Sequence, residues 1–150
     1  MGRKLKEMTI LPFKVEHFLQ LNIRDKEGVS TVQQLTDLLF ILKQAGNCYS
    51  FFYENTLVFT GGIRIIREGV GEAWVLCSKN ITRFVRELYY YSEKFLIEIV
   101  KKNKLARIQA HVEVTREEAC NFLDKMGFER EGLLKKCFFH RDYFIYGRIF

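Results

Sequence analysis

Few side chains in this sequence can do chemistry, and their spacing sorts them. The four cysteines, Cys48, Cys77, Cys120 and Cys137, lie far apart and form no C-x-x-C pair. A zinc ribbon needs its thiolates in close pairs, so no metal is expected. Reduced thiols are the better reading of a chain with no visible export signal. His111 and Glu113 alternate with Val112 and Val114 in a run of period two, so the two share the polar face of a strand. A histidine there can take a proton near neutral pH. Glu72 opens another apolar run and is a second candidate base.

Such residues act only if a core holds them. The chain has 150 residues, 48% of them hydrophobic, with 14 Phe, 7 Tyr and one Pro. That suits one compact domain over residues 1–150 and excludes disorder, which needs few apolar residues. No apolar run approaches a membrane span. The basic start Met1-Gly2-Arg3-Lys4-Leu5-Lys6 is followed by no signal-peptide core, so a cytoplasmic protein is the expectation. The net charge of +6 favours anionic partners, but the charge is dispersed and no nucleic-acid module is present. Nucleic acid and membrane are therefore not the expected partners.

The periodicity predicts an ordered set of elements. Met8 to Phe13 reads as a strand stopped by Pro12, and Glu16 to Asn22 as a short helix. Ser30 and Gln33 have capping-box spacing and open a helix that Gly46 closes. Tyr49 to Tyr53 and Thr56 to Arg67 read as strands joined at Glu54-Asn55, with Gly61-Gly62 marking a bulge or a close backbone approach. Glu72 to Ser78 is the next strand. Thr82 to Lys102 turns helical, with Val85, Leu88, Tyr89, Ser92, Leu96 and Ile99 as its buried stripe. A strand from Leu105 to Val114 follows. Thr115 and Glu118 form a second capping box, opening a helix closed by Gly127. The tail is two strands turning near His140-Arg141-Asp142. The pattern is α+β with a mixed sheet.

Within that order, Ala110 to Ala119 running on to Phe122-Leu123-Asp124-Lys125-Met126-Gly127-Phe128-Glu129-Arg130-Glu131-Gly132 resembles a family signature. It is similar to the strand, "N-x-x-A" helix and "E-K-x-G-F-x-x-E-G" turn of the GNAT N-acetyltransferases. Asp142 to Tyr146 resembles that family's closing strand, and Gly61-Gly62-Ile63 its paired glycines. The resemblance runs from about Tyr49 onward; before that it rests on the order of elements alone. It implies a mostly antiparallel mixed sheet flanked by helices.

The resemblance also implies acetyl-CoA as cofactor and an amine as acceptor substrate: a protein terminus, a lysine or a small amine. The cofactor's arm would lie against Leu76-Cys77-Ser78 and its diphosphate on backbone N–H groups at the start of the next helix, near Ile81, Thr82, Arg83 and Phe84. Arg116 stands where the family carries the Asn of "N-x-x-A", and could reach a phosphate. His111 falls where one branch places a glutamate base. The usual tyrosine acid is replaced by Leu123, which leaves Tyr143 and Tyr146 as the nearest phenols.

The departures are specific. The usual "Q/R-x-x-G-x-G/A" loop contains no glycine here, since Val85 and Glu87 occupy the glycine positions. Glu87 brings negative charge towards a diphosphate, and Lys79, Arg83 or Arg86 would have to compensate. Two functions follow: an acetyl-CoA-dependent N-acetyltransferase, or a catalytically inactive GNAT-like scaffold, similar to small proteins of tailed bacteriophages. A homodimer is compatible with either.

Overall fold

The computed structural model of the chain describes residues 3–20 and 47–150. The helix expected from Ser30 to Gly46 lies outside the described residues. The described elements are β1 (Thr9–Pro12), α1 (Val15–Gln20), β2 (Cys48–Tyr53), β3 (Thr56–Arg67), β4 (Val70–Cys77), a 3-10 helix (Lys79–Phe84), α2 (Val85–Asn103), β5 (Arg107–Glu113), α3 (Glu117–Lys125), β6 (Glu129–Phe138) and β7 (Arg141–Ile149). They build one seven-stranded sheet in the order β1-β2-β3-β4-β5-β7-β6. Every neighbouring pair is antiparallel except β4 and β5. No described helix is long and apolar enough to cross a membrane.

Local chemistry explains the strands. Glu54 and Asn55 both take positive φ, 49° and 66°, as a two-residue hairpin of matching twist requires. The register to β4 runs unbroken through Gly61 and Gly62, and the irregularities fall at Phe51/Phe52 and Ile65/Arg67 instead. A Cβ on Gly61 would meet the Trp74 carbonyl oxygen at 2.7 Å, and one on Gly62 the Asn47 carbonyl oxygen at 2.5 Å. Close approach, not a bulge, is what these glycines allow. In β6 and β7 the chain reverses at Phe139 and His140, slightly before the expected turn.

Two helix starts differ from expectation. The segment before Val85 is a 3-10 helix, not α, and it buries Ile81 and Phe84 three residues apart. This resets the helical phase, so Val85 is 44% exposed and does not join the buried stripe. Leu88, Tyr91, Leu96, Ile99 and Val100 face the core. The second capping box does not form. Arg116 is the N-cap of α3 but makes no side-chain capping hydrogen bond, and the Thr115 hydroxyl donates to Glu113 Oε1 at 2.9 Å. A buried carboxylate is the stronger acceptor and takes the hydroxyl.

The core lies between the sheet and the α2–α3 layer. One cluster joins Leu96, Ile99 and Val100 of α2, Ile108, Ala110 and Val112 of β5, and Leu123 and Met126 of α3 around the fully buried Tyr146. The other packs Phe51, Val58 and Phe59 against Phe84, Leu88 and Tyr91. On the opposite face α1 brings His17 onto Ser50 at 2.7 Å, and Phe13, just before it, packs edge-on against Trp74. The sheet thus has a helix-covered side and an α1 side.

Candidate active site

β4 and β5 are paired for only part of their length. The parallel register covers Val70↔Arg107, Gly71↔Ile108 and Glu72↔Gln109, whereas β4 runs on to Cys77 and β5 to Glu113. Beyond Glu72 the two strands have no ladder between them. Alternate backbone N–H and C=O groups of β4 therefore face a gap, although β4 stays paired with β3 on its other side. A polar backbone edge turned to a gap in this way is a ready partner for a ligand.

The sequence candidates His111 and Glu72 meet at the point where the strands part. His111 Nδ1 lies 2.7 Å from Glu72 Oε1, and Arg64 Nη2 donates to Glu72 Oε2 at 2.9 Å. The hydrogen bond with His111, followed by that from Arg64, holds the Glu72 carboxyl below the usual carboxylate range, against the opposing effect of burial. Glu72 is thus ionised at neutral pH. Nδ1–H donates to it, which leaves Nε2 as the acceptor nitrogen. The Phe138 ring packs edge-on against both His111 and Tyr143.

A cavity of about 840 Å³ occupies the gap, within the range of cofactor and ligand pockets. Its walls reach both sides of the sheet: Val75, Ala110 and Val112 on the helix side, Trp74 and His111 on the α1 side. Among the residues expected to bind cofactor, Leu76, Cys77, Ile81, Thr82 and Arg116 line it. The others stand apart. Ser78 is buried and its N–H donates to the Val58 carbonyl at 2.9 Å. Phe84 belongs to the second core cluster, and Arg83 lies over its ring. Tyr143 is not in the cavity wall either. Burial, then the nearby Glu113 carboxylate, pushes its phenol pKa up. Tyr146 is fully buried and accepts bonds from Arg130 Nε and Nη2, both at 3.0 Å.

A family model described as "Acetyltransferase (GNAT) domain" matches residues 11–145. The chain belongs to the GNAT acetyltransferase family. Solved structures agree on the fold. A GNAT-family acetyltransferase from Bacillus anthracis is 18% identical with a TM-score of 0.71, covering 97% of this chain and 96% of its own. Ard1 from Thermoplasma volcanium is 14% identical with a TM-score of 0.77, over 95% and 97%. The spermidine/spermine N-acetyltransferase SpeG from Vibrio cholerae is 18% identical with a TM-score of 0.67, over 95% and 92%. No curated protein sequence matches the chain.

Two observations bear on whether this GNAT domain fits a diphosphate cofactor despite its glycine-free loop. Glu87 does not face the cavity; it is 3% exposed and turned towards Lys6, whose Nζ lies 3.6 Å from its Oε1. The negative charge that the sequence places near a diphosphate is thus buried and paired. Trp74 Nε1, in the cavity wall on the α1 side, is buried with no hydrogen-bond partner among the described residues. An N–H in that state fits a ligand oxygen on that side, since leaving it unpaired costs free energy. On the lining expected to face the cofactor, Leu76, Cys77, Ile81, Thr82 and Arg116 bring no negative charge against a diphosphate. Sequence reasoning missed Arg64, Phe138 and Lys6. Arg64 could have been found from the pairing of β3 with β4, which sets it opposite Glu72, but Phe138 and Lys6 come from distant parts of the chain.

Proposed function

We propose that this protein is an acetyl-CoA-dependent N-acetyltransferase whose acceptor is an amine. The observation that carries the reading is the Glu72–His111 pair at the fork between β4 and β5. Bound in the gap, acetyl-CoA would supply the acetyl thioester that the amine attacks. Leu76 and Cys77 on the open edge of β4, with Ile81 and Thr82 before α2 and Arg116 at the start of α3, are the residues that would hold it.

The chain's own part is to position donors and to move one proton. The N–H groups that β4 turns to the gap are preorganised to hold a carbonyl oxygen as charge develops on it. His111 Nε2 takes the proton that the amine must lose as the C–N bond forms, Glu72 stabilises the imidazolium that results, and that proton would neutralise the thiolate released when the thioester C–S bond breaks. Arg64 keeps Glu72 ionised and fixes its direction. Phe138 bounds the imidazole on the α1 side, so the acceptor approaches from that side and the cofactor from the helix side. Tyr143 and Tyr146 take no part in this scheme, because neither lines the cavity.

The reading is tested by titrating acetyl-CoA calorimetrically into the protein and by following acetyl transfer to a panel of primary amines, peptides with free N-termini and polyamines. Saturable binding and transfer to at least one class are expected. Absence of both would leave the inactive scaffold as the function.

A further inference from the structure

The start of α2 carries an anion where an anionic ligand is expected, and the structure shows what offsets it. Glu87 lies in the first turn of α2 and is buried, with Oε2 lacking a hydrogen-bond partner among the described residues. A carboxylate there is favourable for the helix itself but opposes a second anion at the same helix end. Its counter-charge does not come from the neighbouring loop. It comes from Lys6, whose Nζ lies 3.6 Å from Glu87 Oε1, donates to the Arg83 carbonyl at 3.1 Å and sits 4.9 Å over the Phe84 ring.

Lys6 is held there by its own segment. The Met8 N–H donates to the Tyr91 hydroxyl at 3.2 Å, and the Arg86 guanidinium donates to the Arg3 carbonyl. Residues Arg3 to Met8 thus run along the beginning of α2, fastened on both sides of Lys6. The contacts occupy Arg86 and turn Arg83 onto Phe84, two of the cations that the sequence offered as phosphate partners. Charge at this helix start is therefore set by a residue some 80 positions away, consistent with the 77 positions between Lys6 and Arg83.

We propose that Lys6 is a positioning residue of the cofactor site: it neutralises Glu87, so that the glycine-free start of α2 can accept a diphosphate-bearing ligand. The inference rests on the acetyltransferase reading, because it takes the diphosphate to lie at that helix start. Lys6 itself need not touch the ligand. Its effect passes through Glu87.

The test is CoA affinity, measured calorimetrically at fixed ionic strength on the full chain and on Lys6→Met, Glu87→Gln and the double variant. Removing Lys6 leaves a buried uncompensated carboxylate, so the dissociation constant for CoA should rise roughly 10-fold or more. Glu87→Gln alone should bind CoA at least as tightly as the wild type, and the double variant should return to within about 3-fold of it. A merely structural lysine would give no such rescue. Unchanged affinity in a folded Lys6→Met protein overturns the proposal. If Lys6→Met does not fold, weaker CoA binding by Glu87→Gln overturns it instead. A wild type that binds no CoA overturns the acetyltransferase reading and this inference together, whereas wild-type binding without the Lys6 effect removes this inference alone.

Discussion

His111 and Glu72 are 39 positions apart in the chain, yet His111 Nδ1 and Glu72 Oε1 are 2.7 Å apart across the fork between β4 and β5. The pair makes a proton acceptor with a fixed tautomer. His111→Ala should lower kcat for acetyl transfer by about 100-fold or more, the usual contribution of a general base. Glu72→Gln keeps a hydrogen-bond acceptor but removes the charge that stabilises the imidazolium, and should cost on the order of 10-fold. Equal losses in the two variants would mean that Glu72 does more than orient and charge-stabilise the ring.

The same carboxylate links acidity to stability. Its pKa is lowered from 4.5 in the folded protein, with the His111 hydrogen bond as the largest cause. A depressed carboxyl stabilises the fold above its unfolded pKa, and this contribution disappears as pH falls through the folded value. Urea unfolding should therefore show the wild type losing its advantage over Glu72→Gln from about pH 5 downward. A constant difference between the two proteins across that range would contradict the linkage.

Gly62 lies in β3 opposite Cys48, at the start of β2. A Cβ there would sit 2.5 Å from the Asn47 carbonyl oxygen and 2.6 Å from Cys48 Cα, and backbone atoms cannot yield as a side-chain tip can. Gly62→Ala should destabilise the fold by roughly 1–3 kcal/mol in urea unfolding, as overpacking does. Gly132→Ala is the control. Its nearest neighbour would be Ile145 Cγ2 at 3.7 Å, an ordinary contact, so its effect should stay within about 0.5 kcal/mol.

Glu113 is buried on the α1 side of β5, with Oε1 accepting from Arg141 at 3.0 Å and Oε2 without a partner. Arg141 is partly exposed and is the principal counter-charge. Arg141→Met should cost about 1–3 kcal/mol, because the carboxylate then keeps only the Thr115 hydroxyl. Adding Glu113→Gln should recover part of that loss, since a neutral amide tolerates burial better. A double variant less stable than Arg141→Met would show that Glu113 serves some other contact.

The residues that anchored the family resemblance are local features, which is why the sequence showed them. Gly127 closes α3 at φ 81°, a conformation that a side chain disfavours, and Phe128 then re-enters the core. Period two along Ala110 to Val114 needs only adjacent residues to declare two faces. Hairpin β2–β3 announces itself by Glu54-Asn55. These signals act over a few residues, so the order and type of the described strands and α-helices are readable without coordinates, whereas the 3-10 turn over Lys79–Phe84 is not.

By itself, then, the sequence determined which of the described segments are strands and which are α-helices, and that His111 lies on a polar face. Only the tertiary structure decided what that face meets. It set the partial pairing of β4 with β5, the Glu72–His111 contact across the resulting gap and the burial of Glu87 against Lys6. It also turned Thr115 from a helix cap into a partner of Glu113. Each of these depends on distances between atoms far apart in the chain, and neither periodicity nor residue type contains a distance.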